Sequence, residues 1–495
     1  MLESKDSSSS VALATPTSPI QECPFEILEE IFKSTMDLGH TRKIGSCEVP
    51  VAPWRLSSVC SRWRAVAHAS PRLWTNVCIQ VFSFDANGSM HNGPGFESLS
   101  ITYPLDALEE QLSLSKDAPL SIDLSARERQ DSYLDQLLLR LINESHRWES
   151  LSIRWRDSAR SFDTLATIGG GLPRLQRLVI HPYSAVCGKW PTVLNSLFTN
   201  APSLREVFLC DEDFYSHSPR LQLPWHQLRR LRMRESLEWI CDVLSRTTEL
   251  VDCEIATYVY KSDSISREEE DEEDNQILVD YVNLPRLRRL GLRRWKPEGS
   301  KFIEKYLITS SLSNLEFQGH LAEIPPILKN ATCPLQTLKL SQFIITRPFS
   351  LVQLLQQAPA LSHLEIDWNS KYHYSCNAID EFIDCILAMN NVLLSGNFVV
   401  LPKLVSIRLA LPYNCELEHA EGPVCQMVES RWNRPAARRT LRSAHISGMG
   451  FHPHILARFE ELRLEGLEIN ELREFEPYEE PPHKPRKRKA SSHSS

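Results

Sequence analysis

A short apolar pattern, Leu-x-x-Leu-x-Leu, recurs ten times in one register and constrains this chain more than any other feature. It stands at Trp148/Leu151/Ile153, Leu175/Leu178/Ile180, Leu204/Val207/Leu209, Leu228/Leu231/Met233 and Leu250/Cys253/Ile255. It continues at Leu287/Leu290/Leu292, Leu312/Leu315/Phe317, Leu335/Leu338/Leu340, Leu361/Leu364/Ile366 and Leu404/Ile407/Leu409. Most starts lie about 22 to 29 residues apart, a period that marks stacked supersecondary units. One copy cannot bury its apolar face alone. Stacked copies share one continuous core, so the copies must lie side by side.

The last two apolar positions of each copy alternate as a strand does, pointing inward while their neighbours point the other way. Strands that all run the same way need a helix-length connection. Helices are therefore predicted between copies, for example over Trp190–Thr199, Leu237–Leu244 and Ser350–Gln357. A weaker eleventh copy is read at Phe459/Leu462/Leu464. Two gaps interrupt the period. The first holds seven acids in a row, Glu268 to Asp274, inside an insertion over 261–276; such a run repels itself and stays solvated. The second holds a longer helix near Asn377–Asn390. Pattern and period resemble the leucine-rich repeats. The Asn or Cys that family carries three residues after the last Leu is replaced by Tyr183, Glu212 and Phe343. The resemblance therefore implies an irregular arc with a parallel sheet on its concave face, over 120–470.

A second organised stretch runs over 21–80. Ile27, Leu28, Ile31 and Phe32 fall on one side of a 3.6-residue helix, and Pro24 suits a first helical turn. Leu56, Val59, Cys60, Trp63 and Ala67 recur at helical spacing after Pro53. Ala69-Ser70-Pro71 breaks that helix, because the residue before proline is pushed out of the α region. Leu73 and Trp74 anchor an extended exit. The order Pro-x-x-Ile-Leu-x-x-Ile-Phe, then Leu-x-x-Val-Cys-x-x-Trp, then Ala-x-x-x-Pro-x-Leu-Trp resembles the F-box motif. Its ending, Ser70 to Trp74, is similar to the F-box proteins abundant in mushroom-forming fungi. The resemblance implies a three-helix module that docks on the Skp adaptor of cullin–RING ubiquitin ligases. Carried over residue by residue, it implies adaptor contacts from Pro24, Ile27, Leu28, Ile31, Phe32, Leu56, Val59, Cys60 and Trp63. Cys23 stands where the family has Leu, and the spacer from Asp37 to Val51 is long.

The expected fold is thus α/β: a small all-α module, then an irregular leucine-rich-repeat-like solenoid. Residues 1–20 are Ser/Thr/Pro-rich and expected to be disordered, 81–119 to connect, and 471–495 to form a Pro-rich then basic tail. Lys484 to Lys489 suits either a nuclear import signal or plain solvated charge. A net charge of −8 and a pI near 6.1 give no pull toward nucleic acid. No run of 18 apolar residues occurs, and the N-terminus lacks a signal-peptide core. Thirteen scattered cysteines without a C-x-x-C pair suit a reducing compartment. The expected location is intracellular, cytoplasmic or nuclear.

No catalytic, cofactor-binding or metal constellation emerges. Phosphate-loop, nucleophile-elbow and H-E-x-x-H patterns are missing. Gly169-Gly170-Gly171 reads as a turn, His452-Pro453-His454 as a surface loop, and Cys60 as a small core residue. The expectation is a substrate receptor of a Skp–cullin–F-box ligase that performs no chemistry. Its partners are the adaptor, the cullin and an unknown protein target. The alternative is a protein-binding scaffold that degrades nothing. Strand alternation puts Arg230, Arg232, Arg234, Asp252, Glu254, Arg289 and Arg293 on the face opposite the leucines, with Gly291 and Ala256 among them. Either the carboxylates neutralise neighbouring arginines across strands, or the surplus arginines receive an acidic or phosphorylated target.

Overall fold

In the computed structural model the described residues are 19–39, 51–81, 105–126, 132–155, 164–169, 171–182, 195–210, 220–257, 282–295, 307–330, 335–343, 351–367, 376–392, 398–410, 421–433, 439–448, 450–470 and 473–474. The acidic run, the basic tail, the N-terminal 18 residues and the Gly/Asn stretch at 84–98 lie outside them. The chain is mixed α/β and forms two compact units, 1–224 and 225–495. No helix among the described residues is long and apolar enough to cross a membrane.

The first unit begins with helices α1 (Pro19–Glu22), α2 (Phe25–Gly39), α3 (Val51–Val59) and α4 (Ser61–Ala69). Leu28 and Phe32 of α2 pack with Val66, Ala67, Leu73 and Trp74, and Trp54, Leu56 and Trp63 close the cluster. Helix α4 ends at Ala69 as the following proline requires, and Pro71–Trp74 makes a 3-10 turn. Trp74 Nε1 then donates to the Ala67 carbonyl at 2.8 Å, so the buried indole keeps a partner. The expected single helix through Leu56 and Trp63 is instead two. Cys60 interrupts it with extended backbone, and its Sγ caps α4 by accepting from Trp63 N at 3.4 Å. Cys60 is half-buried, not a core residue.

The chain passes straight from this module into a parallel sheet. Strands β1 (Asn76–Val81), β2 (Leu120–Ala126), β3 (Trp148–Trp155), β4 (Arg177–Pro182) and β5 (Glu206–Phe208) pair in chain order. Val77, Ile122, Leu151, Leu178 and Val207 are in register and buried. The sheet therefore starts at residue 76 and not at 120. Trp74/Val77/Ile79 is a copy of the repeat without a leucine, so it does not stand out in the sequence. The segment 81–119, expected only to connect, carries helix α5 (Leu105–Ser115). Gln111 of α5 donates to the Trp74 and Asn76 carbonyls at 3.0 and 2.8 Å and ties the helix to the start of β1. Helix α6 (Ser132–Asn143) precedes β3. The helix expected over Trp190–Thr199 is, where described, a series of turns from Asn195 to Asn200.

The second unit repeats the scheme over nine strands. These are β6 (Arg230–Glu235), β7 (Asp252–Thr257), β9 (Arg289–Trp295), β11 (Asn314–Gly319), β12 (Thr337–Ser341), β13 (His363–Asp367), β14 (Ser406–Ala410), β15 (Ser443–Ser447) and β17 (Glu468–Asn470). Every pair is parallel, and the order follows the chain. Two-residue strands β8 (Val282–Asn283) and β10 (Leu307–Ile308) pair separately, as do β16 (Gly450–Phe451) and β18 (Arg473–Glu474). Leu231, Cys253, Leu290, Leu315, Leu338, Leu364, Ile407, Ala444 and Ile469 form one buried row across the sheet. Met233, Ile255, Leu292, Phe317, Leu340, Ile366, Leu409 and Ile446 form the next. Burying each such side chain contributes roughly 1.5–3 kcal/mol.

Helices α7 (Leu237–Arg246), α8 (Ile324–Asn330), α9 (Leu351–Gln356), α10 (Cys376–Asn390), α11 (Glu421–Trp432) and α12 (Pro453–Leu464) connect these strands. Helix α10 fills the long gap as expected. The buried Arg431 of α11 donates to the carbonyls of Met389, Val400 and Leu401 at 2.8–2.9 Å and stacks on Phe398, locking that excursion back onto the sheet. The expected copy at Phe459/Leu462/Leu464 is part of α12, and Leu464 is 87% exposed. The true copy is Leu441/Ala444/Ile446. His452 does not stand in a loose loop but precedes α12, where its backbone N–H and Nδ1 both meet the Glu421 carboxylate.

Candidate functional site: an apolar helix face and a braced arginine face

Two surfaces collect the residues singled out in the sequence. The first is the outer side of α2 and α3. Leu28 and Phe32 are fully buried, and the Phe32 ring lies 4.9 Å from that of Trp63. Expected on one side of the helix with Ile27 and Ile31, these two turn into the interior of the helical module. They build its core, with Leu56 and Trp63 partly buried against them. The residues left outside are Ile27 at 51% exposure, Ile31 at 43%, Val59 at 60% and the exposed Pro24. Ile27 and Ile31 are four residues apart and share a face of α2. Phe25 and Ile20, not foreseen, are exposed as well. These are the exposed large apolar side chains that the helical module offers to another protein.

The second surface is the face of the second unit's sheet opposite its leucines. Strand register places Arg230, Asp252 and Arg289 in one row and Arg232, Glu254, Gly291, Glu316, Lys339 and Glu365 in the next. Gly291 is the pivot of the arrangement. It brings no side chain, so the carboxylates of β7 and β11 converge over β9 from either side. A Cβ at Gly291 would sit 2.8 Å from Glu254 Cγ. Arg289 and Arg293 reach toward these carboxylates from the positions before and after the glycine.

The resulting network is closed on the carboxylate side. Glu254 Oε2 accepts from Arg232 Nε at 3.0 Å and Nη2 at 2.7 Å, and Oε1 from Arg293 Nε at 2.8 Å. Glu316 Oε1 accepts from Arg293 Nη2 at 2.6 Å and Oε2 from Arg289 Nη2 at 2.8 Å. Arg289 Nη1 also reaches both oxygens of Asp252 at 3.2 Å. Lys339 Nζ stands 3.8 Å from Glu316 and 3.3 Å from Glu365. Glu254 and Glu316 are buried, while the arginines are partly open to solvent. Burial works against the Arg289 charge, but Asp252, Glu316 and Glu254 outweigh it and raise its pKa above the ordinary arginine value. Beneath them, burial and then Asp252 and Glu254 push the Cys253 thiol far above its usual range, so it stays protonated.

Sequence reading found the five arginines with Asp252 and Glu254 but missed Glu316. The signal was present, since Glu316 holds the same place in the copy starting at Leu312 that Glu254 holds in the copy starting at Leu250. With three carboxylates, the surplus across β6, β7, β9 and β11 is two positive charges rather than three. Arg230 is exposed at the start of β6, and Arg234 stands half-buried opposite Ala256. Among the described residues no group of three His, Cys, Asp or Glu side chains is placed to hold a metal ion. Comparison with protein-family models and with curated proteins finds no match to either.

Proposed function

We propose that this chain is a substrate receptor of a Skp–cullin–F-box ubiquitin ligase. In this reading α2 to α4 form the F-box that holds the adaptor, and the repeats form a leucine-rich-repeat-like arc that holds a protein target. The chain itself performs no bond-making step. The observation that carries the reading is the split within α2. Leu28 and Phe32 are spent on the core, while Ile27 and Ile31 stay at 51% and 43% exposure on the adjacent flank of the helix, with Pro24 also exposed. A module of this size gains little by leaving such residues in water. An adaptor that covers them supplies roughly 1.5–3 kcal/mol for each side chain fully buried.

The test is reconstitution of the full chain with a Skp adaptor and cullin. Ile27→Asp with Ile31→Asp should lower adaptor affinity by about a hundredfold or more, at about 1.4 kcal/mol per factor of ten. Its melting profile should match that of the wild type, because neither residue is in the core. Unchanged affinity would sink the reading. A chain that binds the adaptor but never joins a cullin would point to the alternative, a scaffold that degrades nothing.

A further inference from the structure

We propose that Ser58 is a phosphorylation site for a serine kinase that selects an arginine three residues before its acceptor, and that the phosphate closes the adaptor surface. This deepens the receptor reading and rests on it. Ser58 is exposed in the last turn of α3. It directly precedes Val59, which stands 60% exposed on the surface proposed for the adaptor. Arg55, one turn back, is exposed too, and its guanidinium makes no ion pair or hydrogen bond among the described residues. A planar guanidinium at that spacing suits the carboxylates with which a kinase grips its substrate.

A kinase takes its acceptor as extended chain, so the end of α3 has to open, and α3 is built to open there. It has nine residues, too few to hold a helix without packing. Pro53 and Ser57 are its only buried side chains among the described residues. Ser57 Oγ and Ser58 Oγ donate back to the Trp54 and Arg55 carbonyls, each at 2.8 Å, and so compete with the helical ladder. Beyond Val59 the backbone is already extended, with φ −158° and ψ 170° at Cys60. In the transfer, Ser58 Oγ bonds to the γ-phosphorus of a nucleoside triphosphate. The bond from that phosphorus to its bridging oxygen breaks, the hydroxyl proton passes to the kinase's base, and the nucleoside diphosphate leaves. The product carries about −1.5 to −2 charge at pH 7. It stands at the C-terminal end of α3, where the helix dipole disfavours an anion. It also stands beside a side chain that the adaptor buries in this reading. Docking then has to strip water from a dianion, which opposes the apolar gain from Ile27, Ile31 and Val59.

The test uses the full chain in two preparations. One is incubated with ATP and a calcium/calmodulin-dependent serine kinase; the other carries phosphoserine installed at position 58 during translation. Mass spectrometry should place the kinase's phosphate on Ser58, with labelling at least about tenfold lower in Arg55→Gln. The chain phosphorylated at Ser58 should bind the Skp adaptor at least about tenfold more weakly than the unmodified chain, and phosphatase treatment should restore the affinity. Ser58→Ala, treated with the same kinase, should keep full adaptor affinity. No phosphate on Ser58, labelling indifferent to Arg55, or a phosphorylated chain that binds as tightly as the unmodified one would each overturn the proposal. An unmodified chain that fails to bind the adaptor overturns the receptor reading itself, so the two failures are distinguishable.

Discussion

Deleting one carboxylate from the arginine face gives a sharp test of how that face is held. Glu316 is buried and accepts from Arg289 at 2.8 Å and Arg293 at 2.6 Å. Hydrogen bonds to charged groups contribute about 1.5–3 kcal/mol each, and breaking one side of a buried pair costs about 3–5 kcal/mol. Both arginines are partly exposed and keep a second carboxylate, so part of that cost is recovered by water and by Asp252 and Glu254. Glu316→Ala should therefore destabilise the second unit by about 2–4 kcal/mol. For a unit of this size that lowers the melting temperature by roughly 4–12 °C. The control is Glu365→Ala, whose partner Lys339 stands 3.3 Å away in a pair about one-third exposed. That change should stay within about 1 kcal/mol, as exposed pairs do. Thermal unfolding of the full chain, with hydrogen exchange read at β9 and β11, distinguishes the two. Added salt should shrink the Glu365 effect more than the Glu316 effect. If Glu316→Ala melts within about 1 °C of wild type, the claim that buried carboxylates fix the arginines is wrong.

The other expectations are briefer. Phe32→Ala empties a fully buried site and should cost about 3–5 kcal/mol, whereas Ile31→Ala on the outer side of the same helix should cost little; chemical denaturation of each variant decides it. Gly291→Ala places a methyl against Glu254 Cγ and should cost about 1–3 kcal/mol, with a smaller added loss when Glu254→Ala is already present. Burial first and Glu238 second push the Cys241 thiol up to about 12 from an ordinary value of 9.0. Because the folded value is the higher one, the stability this thiol contributes is complete below about pH 9 and is lost as pH rises toward about 12. Cys241→Ala should flatten that alkaline loss in a pH series of melting curves, and an unchanged slope would rule out this thiol as its source.

The repeat register was legible because burial enforces it. In β6 the burial of Leu231 and Met233 alternates with the openness of Arg230, Arg232 and Arg234, as a period of two demands. The pattern failed where the buried residue was not a long aliphatic one. Trp74/Val77/Ile79 opens with an indole claimed by the helical cluster, and Leu441/Ala444/Ile446 has alanine at the central place. It also failed where two periods coincide. Phe459 and Leu462 are three apart, which fits a helix as well as the repeat, and only the exposure of Leu464 separates the two. Cys60 was misplaced for a related reason: helical spacing continues across it, but nothing in the spacing signals that its sulfur caps α4. The charged face was half legible. Alternation named the arginines, but which carboxylates meet them depends on how β7, β9 and β11 align, and that alignment is a property of the folded sheet.

The two faces of the second unit's strands obey different rules. On the leucine side a substitution disturbs a close-packed row that runs from β6 to β17, so the cost spreads to both neighbours. On the other side Arg232, Arg289, Arg293 and Lys339 are each held by one or two carboxylates, and a loss spreads along that network of charges. Gly291 is the exception. It joins the faces because its missing side chain lets Glu254 and Glu316 meet Arg289 and Arg293 over one strand. A change there moves four charged groups at once while leaving Leu290 and Leu292 in their buried rows. If this face meets the target, Gly291→Ala should therefore weaken target binding more than its modest effect on stability would suggest, and a target held equally by both chains would refute it.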